Sequence, residues 1–173
     1  FRGEALSSIS SVSEMSIISS CGNNDGAELK MLKGNPGSIQ PAASINGTEI
    51  TIRNLFYNTP ARRKFLKTPR TELRKVVDVV RRYGLAFPEV QFKLMADNRT
   101  IFQVNAEKLE ERIDNLLDPT YSRNLLPINI VKGDYSFSGF TGNLNLVRTR
   151  PGEQYLFLNR RFTFQSKSKA SVF

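Results

Sequence analysis

The chain has 173 residues, 25 Lys and Arg against 16 Asp and Glu (formal net charge +9), and 39% hydrophobic residues, enough apolar content for a packed core rather than disorder. With no His and one Cys, zinc sites of the Cys/His kind, an internal disulfide and Ser-His or Cys-His nucleophilic catalysis are excluded, and a reducing compartment is favoured. No apolar run approaches the roughly 18 residues of a membrane span, and the acid at Glu4 does not fit a secretory leader.

In chain order, residues 3–11 read as the first turns of a helix, with Ala5, Leu6 and Ile9 at helical spacing. Residues 12–20 turn strand-like through Met15, Ile17 and Ile18, and Gly22-Asn23-Asn24-Asp25-Gly26 turns the chain into a return strand over 27–32. Residues 34–43, rich in Gly and Pro, read as a loop closing a first domain of residues 1–45. Residues 47–53 alternate at period two, with Ile50 and Ile52 on one face of a half-buried strand. Thr59-Pro60 reads as an N-cap with Pro at the first helical position, opening a short helix to Leu66. Thr68-Pro69 repeats the device for a longer helix whose stripe is Leu73, Val76, Val77 and Val80.

Further on, Val90-Phe92-Leu94 and residues 100–104 form a predicted hairpin about Ala96-Asp97-Asn98. Residues 107–117 form a helix burying Leu109, Ile113, Leu116 and Leu117, stopped by Asp118-Pro119. A second hairpin joins 128–131 to 135–140 across Gly133-Asp134, and 154–158 and 162–164 supply more strand. The pattern is α+β.

The charge is local. Ten bases (Arg53, Arg62, Arg63, Lys64, Lys67, Arg70, Arg74, Lys75, Arg81 and Arg82) face two acids, Glu72 and Asp78, in residues 51–82, so that window carries +8 and the rest of the chain +1. Such a patch has two readings: an electrostatic footprint for a phosphate backbone, or a solvated helix face that aids solubility. Arg62, Arg63 and Lys64 are consecutive and cannot share one helix face. Leu55, Phe56, Tyr57 and Phe65, dense aromatics in a short turn, read as core packing between domains.

Three segments carry a family resemblance. Phe1-Arg2-Gly3-Glu4-Ala5-Leu6 resembles the Phe-Arg-Gly-Glu-Ala-Leu motif of MutL proteins, DNA mismatch-repair members of the GHKL ATPases. Gly47-Thr48, followed by Asn54-Leu55-Phe56-Tyr57-Asn58-Thr59-Pro60-Ala61-Arg62-Arg63-Lys64-Phe65-Leu66, is similar to the signature at the junction of their two domains. Gln154 to Arg161 looks like a later transducer strand ending in Asn-x-Arg.

The resemblance implies that the first residues finish a GHKL-type α/β sandwich, and that 46–173 form a transducer domain, truncated before its end. That domain would be a ribosomal-protein-like mixed sheet with helices and a left-handed βαβ crossover. It implies an ATP lid at Arg2, Gly3, Glu4, Ala5 and Leu6, with Thr48 beside the nucleotide, Mg²⁺ as the metal, and DNA contacts among Arg62, Arg63, Lys64, Arg70, Arg74, Lys75, Arg81 and Arg82. A helix opening at Gly3 presents unpaired N–H groups and a positive dipole end to phosphate. Glu4 also reads as an acid favoured by that dipole, and Thr48 equally as an ordinary strand residue.

By the same resemblance the partners are DNA, a mismatch-recognition protein and other repair factors, with dimer closure on ATP binding. The place is the bacterial cytoplasm or, in a eukaryote, the nucleus. The family's water-activating Glu, Mg²⁺-binding Asn, Asp-x-Gly-x-Gly segment and His-Pro-x-Lys lysine have no counterpart in the chain. A catalytic residue and a metal ligand are therefore not expected within it, and the segment alone is expected not to hydrolyse ATP. The competing readings are a non-enzymatic nucleic-acid-binding α+β domain and another GHKL ATPase such as a gyrase-like subunit.

Overall fold

The computed structural model describes residues 4–22, 25–43, 46–147 and 154–163. The chain divides into two compact units, Phe1–Thr68 and Pro69–Phe173.

In the first unit a short helix, α1 (Ala5–Ser10), leads into strand β1 (Glu14–Ser20), followed by β2 (Gly26–Leu32), β3 (Asn35–Ala42) and β4 (Gly47–Arg53). They form one antiparallel sheet in the order β3-β2-β1-β4. Register sorts the side chains by period two. Met15 lies opposite Met31 and Ile52, and Ile17 opposite Leu29 and Ile50, giving one apolar face; Ser16 lies opposite Lys30 and Thr51, and Glu14 opposite Arg53, giving a polar one. Ile50 and Ile52 share the face expected of them, each 43% exposed. A one-turn helix, α2 (Pro60–Arg63), ends the unit.

Residues 34–43, expected as a loop, are instead mostly strand β3. Lys33 (φ 54°) and Gly34 (φ 78°) make the tight two-residue turn that joins β2 to it. Pro36 and Pro41 are tolerated because β3 is an edge strand, where a missing N–H costs no ladder bond. The expected boundary at residue 45 therefore falls inside one sheet, since β4 pairs with β1 along its whole length.

The second unit opens on α3 (Pro69–Ala86), followed by the hairpin β5 (Phe92–Ala96) and β6 (Arg99–Val104), then α4 (Leu109–Leu116). Two more hairpins complete it: β7 (Leu125–Lys132) with β8 (Tyr135–Gly142), and β9 (Phe157–Leu158) with β10 (Arg161–Phe162). Every strand pair among the described residues is antiparallel, so a parallel βαβ crossover is not among them. The core is Leu85, Val104 and Leu116, with Phe92, Phe102, Leu109, Ile113, Leu117, Tyr155 and Phe157 packed around it. The expected buried face of α4 is the observed one. At Gly84 a Cβ would stand 2.8 Å from Leu116 Cδ2, so the bare backbone lets α3 and α4 approach.

Beside that contact, Arg112 is wholly buried (0% exposed). Its Nε donates to Glu107 Oε1 at 2.6 Å, Nη1 to Gly84 O at 2.8 Å, and Nη2 to the carbonyls of Pro88 (2.8 Å), Val90 (2.9 Å) and Asn105 (2.5 Å). Glu107 Oε2 in turn accepts from Asn115 Nδ2 at 2.7 Å.

Two expected caps and contacts take another form. Thr59 stands at the N-cap of α2, but its hydroxyl makes no capping bond and is buried without a partner; φ −133° with ψ 74° is not the extended geometry that turns a cap hydroxyl onto the helix. Phe65, expected in an interdomain core, is 81% exposed, and Leu55 is 43% exposed. The single turn of α2 ends before Phe65 and carries no buried residue.

Two outcomes follow for stability. Arg112→Ala should lower the unfolding free energy by about 3–5 kcal/mol, because it strands the largely buried Glu107 carboxylate and four backbone carbonyls. Arg160→Ala, which breaks the exposed ion pair with Glu89, should cost far less, because solvent screens an exposed pair. Urea denaturation of the two variants measures both, and equal losses would refute the ranking. Thr59→Val should be neutral or stabilising by roughly 1 kcal/mol, since it removes an unsatisfied buried hydroxyl. A loss of about 1 kcal/mol in the same assay would restore the capping role.

Candidate nucleotide and phosphate-binding site

The run Ser7-Ser8-Ile9-Ser10-Ser11-Val12-Ser13 explains how six residues hold a helix that would be marginal alone. Each carbonyl from Ser7 to Val12 has a donor. Ser10 Oγ and Ser11 N reach Ser7 O, Ser11 Oγ reaches Ser8 O, and Ser13 Oγ reaches Ile9 O at 2.7 Å. The last three are taken from outside the helix. Gly34 N–H donates to Ser10 O at 2.9 Å, Asn58 Nδ2 to Ser11 O at 2.8 Å, and Phe56 N–H to Val12 O at 2.7 Å. Ser10 O is one of the carbonyls a helix end leaves without an intrahelical donor, and Ser11 O and Val12 O follow it just past the helix.

The loop that supplies two of these donors is unusual in its backbone. Asn54 (φ 53°) and Phe56 (φ 63°) both lie in the left-handed region, tolerable for Asn and rare for an aromatic residue. Asn54 Nδ2 also donates to Glu14 Oε2 at 2.9 Å, at the start of β1. Neither asparagine is a candidate from sequence; the one available signal is Asn at turn positions.

At the other end of α1, Ser8 N–H is the first to find its i−4 carbonyl, Glu4 O at 2.9 Å. Among the described residues the amides of Ala5, Leu6 and Ser7 have no acceptor, and first-turn amides are the groups of a helix that suit an anion. Glu4, Ala5 and Leu6 are exposed; Arg2 and Gly3 lie outside the described residues. Thr48 is exposed on β4, its Oγ1 2.9 Å from Ser19 Oγ, at the end of β1 away from α1. It shares no hydrogen bond with Glu4, Ala5 or Leu6 among the described residues.

The basic residues divide between the units. Arg62, Arg63 and Lys64 are exposed at α2 and its C-cap, where cations suit the helix dipole. Arg70, Arg74 and Lys75 are exposed on α3, and Lys75 pairs with Glu72 at 3.0 Å. Arg81 and Arg82, expected on the open face, are half-buried. The Arg82 guanidinium lies 4.2 Å from the Phe162 ring centroid, and Arg81 Nε is buried without a partner. Among the described residues no group of three or more Cys, Asp or Glu side chains could hold a metal ion, and no helix is long and apolar enough to cross a membrane.

No protein-family model matches the chain. Among curated proteins it is 38% identical over 168 residues to the DNA mismatch repair protein MutL of Rickettsia bellii, covering 93% of this chain and 28% of that protein. It is 39% identical over 163 residues to the protein of the same name from Thermodesulfovibrio yellowstonii, covering 93% of this chain and 30% of that one. Among solved structures, the Aquifex aeolicus MutL ATPase domain complexed with ADP matches with a TM-score of 0.79 and 32% identity, over 95% of this chain and 63% of that domain. The chain thus spans less than a third of the length of the curated relatives it matches, and its α+β architecture is that of the MutL ATPase domain. Over the residues it spans, the chain belongs to the MutL family of DNA mismatch-repair proteins.

Proposed function

We propose that this chain supplies the nucleotide lid and a DNA-contacting surface of a MutL-type ATPase, spanning the end of its nucleotide-binding domain and part of its transducer. One observation carries the reading most: the chain matches an ADP-complexed MutL ATPase domain at 32% identity over 95% of its length, and in it Ser10 O and the next two carbonyls each take a donor from outside α1. A helix anchored in this way offers fixed N–H donors where a phosphate's charge would sit, without reorganisation. The likeness to an ADP-complexed MutL domain supports nucleotide as the ligand.

In this reading Arg2 adds a cation beside the phosphates, Gly3 allows their close approach, and Thr48 stands beside the nucleotide as the family resemblance implies. Among the described residues no group of three or more Cys, Asp or Glu side chains could hold Mg²⁺. Catalysis in the whole protein is positioning and electrostatic stabilisation of phosphoryl transfer, with ATP binding closing two subunits around DNA and signalling to a mismatch-recognition protein and other repair factors. The DNA contacts are the exposed cations: in the first unit Arg62, Arg63 and Lys64, and, taken separately, in the second unit Arg70, Arg74 and Lys75. Arg81 and Arg82 contribute less, being half-buried.

In a full-length protein carrying this segment, steady-state hydrolysis should be slow, and Arg2→Ala should reduce it about tenfold or more, the scale of removing one charge-assisted hydrogen bond. Absence of nucleotide binding, with salt-sensitive DNA binding intact, would leave a non-enzymatic nucleic-acid-binding module as the better account.

Double reversal R70E/R74E should weaken DNA binding equally for all sequences and lower the slope of log K against log[salt] by about 2, near one for each phosphate no longer neutralised. An unchanged slope in a salt titration would remove α3 from the DNA path.

A further inference from the structure

Arg160 sits at the tip of a hairpin in the second unit. β9 and β10 pair Leu158 with Arg161 and Phe157 with Phe162, so Asn159 and Arg160 form the connecting two-residue turn. Both are left-handed (φ 49° and 62°), as in a type I′ turn. The hairpin is anchored behind that turn. Tyr155 and Phe157 pack against the core of Leu85, Val104 and Leu116, Phe162 meets both rings edge-on, and Arg82 of α3 lies over Phe162. The backbone at position 160 is thus placed without help from its side chain.

The side chain itself is held only at the surface. Arg160 Nη1 donates to Glu89 Oε1, the two side chains being 62% and 52% exposed, and the guanidinium lies 5.3 Å from the Phe87 ring centroid. No other hydrogen bond of this guanidinium is found among the described residues, so most of its donor fork is unused. Glu89, for its part, is not needed by the bend it occupies between α3 and β5. Arg112 takes the carbonyls of Pro88 and Val90 there, and the Val90 amide donates to Phe87 O at 3.0 Å. A hydrogen bond from its own backbone, and after it the bond and charge of Arg160, outweigh desolvation and hold the Glu89 carboxyl below the usual carboxylate range. It is therefore charged at neutral pH.

A carboxylate on an exposed arginine occupies the place of a phosphate, since both present acceptor oxygens to the same fork of donors. Exchange favours the phosphate of a nucleic acid. The exposed carboxylate pair is weak and screened by salt, whereas a nucleic-acid backbone adds the release of its condensed counterions. Arg161 is exposed in the next position, and Arg82 reaches the same hairpin from α3, so three arginines gather there.

We infer that Glu89 stands in for a nucleic-acid phosphate on Arg160. Free of DNA, the carboxylate masks this cation. On DNA, Arg160 turns from Glu89 to a phosphodiester oxygen and becomes a further backbone contact of the second unit, while the anchored hairpin stays in place. The inference rests on the reading that the second unit contacts DNA.

The test is the affinity of a full-length protein carrying this segment for a short random-sequence duplex, measured by fluorescence anisotropy over a salt series. Glu89→Gln keeps the side-chain shape and should raise affinity roughly twofold to fivefold at low salt, the range of one exposed ion pair that no longer has to be broken. Arg160→Gly suits the left-handed backbone of the turn and should fold. It should weaken binding and lower the slope of log K against log[salt] by about 1, one phosphate contact. In the double variant the gain from Glu89→Gln should disappear. A wild-type protein that binds no duplex would defeat the functional reading itself. Wild-type binding with an unchanged slope in Arg160→Gly would overturn this inference and leave that reading standing. So would a Glu89→Gln gain of equal size with and without Arg160, which is the effect of removing a negative charge near DNA and needs no exchange.

Discussion

A guanidinium with no exposure to solvent must find all its hydrogen bonds inside the protein, and Arg112 makes five. Its acceptors belong to four separate pieces of chain: the last turn of α3 at Gly84, the bend at Pro88 and Val90, the end of β6 at Asn105, and Glu107 ahead of α4. The apolar core nearby contains only three buried residues, Leu85, Val104 and Leu116. Area burial alone would leave these connections loosely set. The guanidinium fixes them, because moving any one acceptor breaks a bond that nothing else could replace. The charge is tolerable because Glu107 faces it at 2.6 Å and because α3 ends there, where its carbonyl dipoles favour a cation. Charge pairing and desolvation here are both large and nearly cancel. What remains is geometric specification: α3 and α4 are held close enough that a Cβ at position 84 would press on Leu116 Cδ2 at 2.8 Å.

The first unit solves a related problem with neutral groups. Its helix is too short to be stable by itself, and of its six residues only Ser10 is fully buried. Hydrogen bonds from serine hydroxyls and from two loops hold it instead. Each unit thus fixes a helix end by satisfying backbone carbonyls, in the second unit beside a buried helix face and in the first almost without one. A site on such a helix can be rigid at the point of anion contact while remaining exposed to its ligand.

Pattern reading finds most of the elements because their periodicity is strong: the valine stripe of α3, the buried face of α4, and hairpins marked by Asp97-Asn98 and Gly133. β3 is illegible because Asn35-Pro36-Gly37 carries loop chemistry, and only its edge position makes Pro36 harmless. Missing β3 also displaces the expected domain break into the sheet. Arg112 escapes such a reading although its place is visible: with Leu109, Ile113 and Leu116 it completes the i, i+3, i+4, i+7 stripe of α4. A base on an apolar stripe marks a buried charge with a partner, and Glu107 is the acid at hand. Asn58 has no comparable mark, since its acceptor, Ser11 O, lies 47 residues away in the chain.

The same lesson limits what a charge count says about binding. The window of residues 51–82 carries +8 by composition, but folding gives its arginines different work. Arg82 lies over Phe162, Arg81 is half-buried, and Lys75 is paired with Glu72. Elsewhere Arg160 pairs with Glu89 and stands over Phe87. Each role uses a property of arginine apart from its net charge: a planar face for stacking or a fork of donors for carboxyl groups. The cations best placed for a phosphate backbone are the exposed ones: Arg62, Arg63 and Lys64 beside the clamped loop, and Arg70 and Arg74 in the first turns of α3. At physiological salt, surface charges are screened beyond about 8 Å. For any polyanion, the local spacing of exposed side chains within each unit would therefore matter more than the sum over the chain.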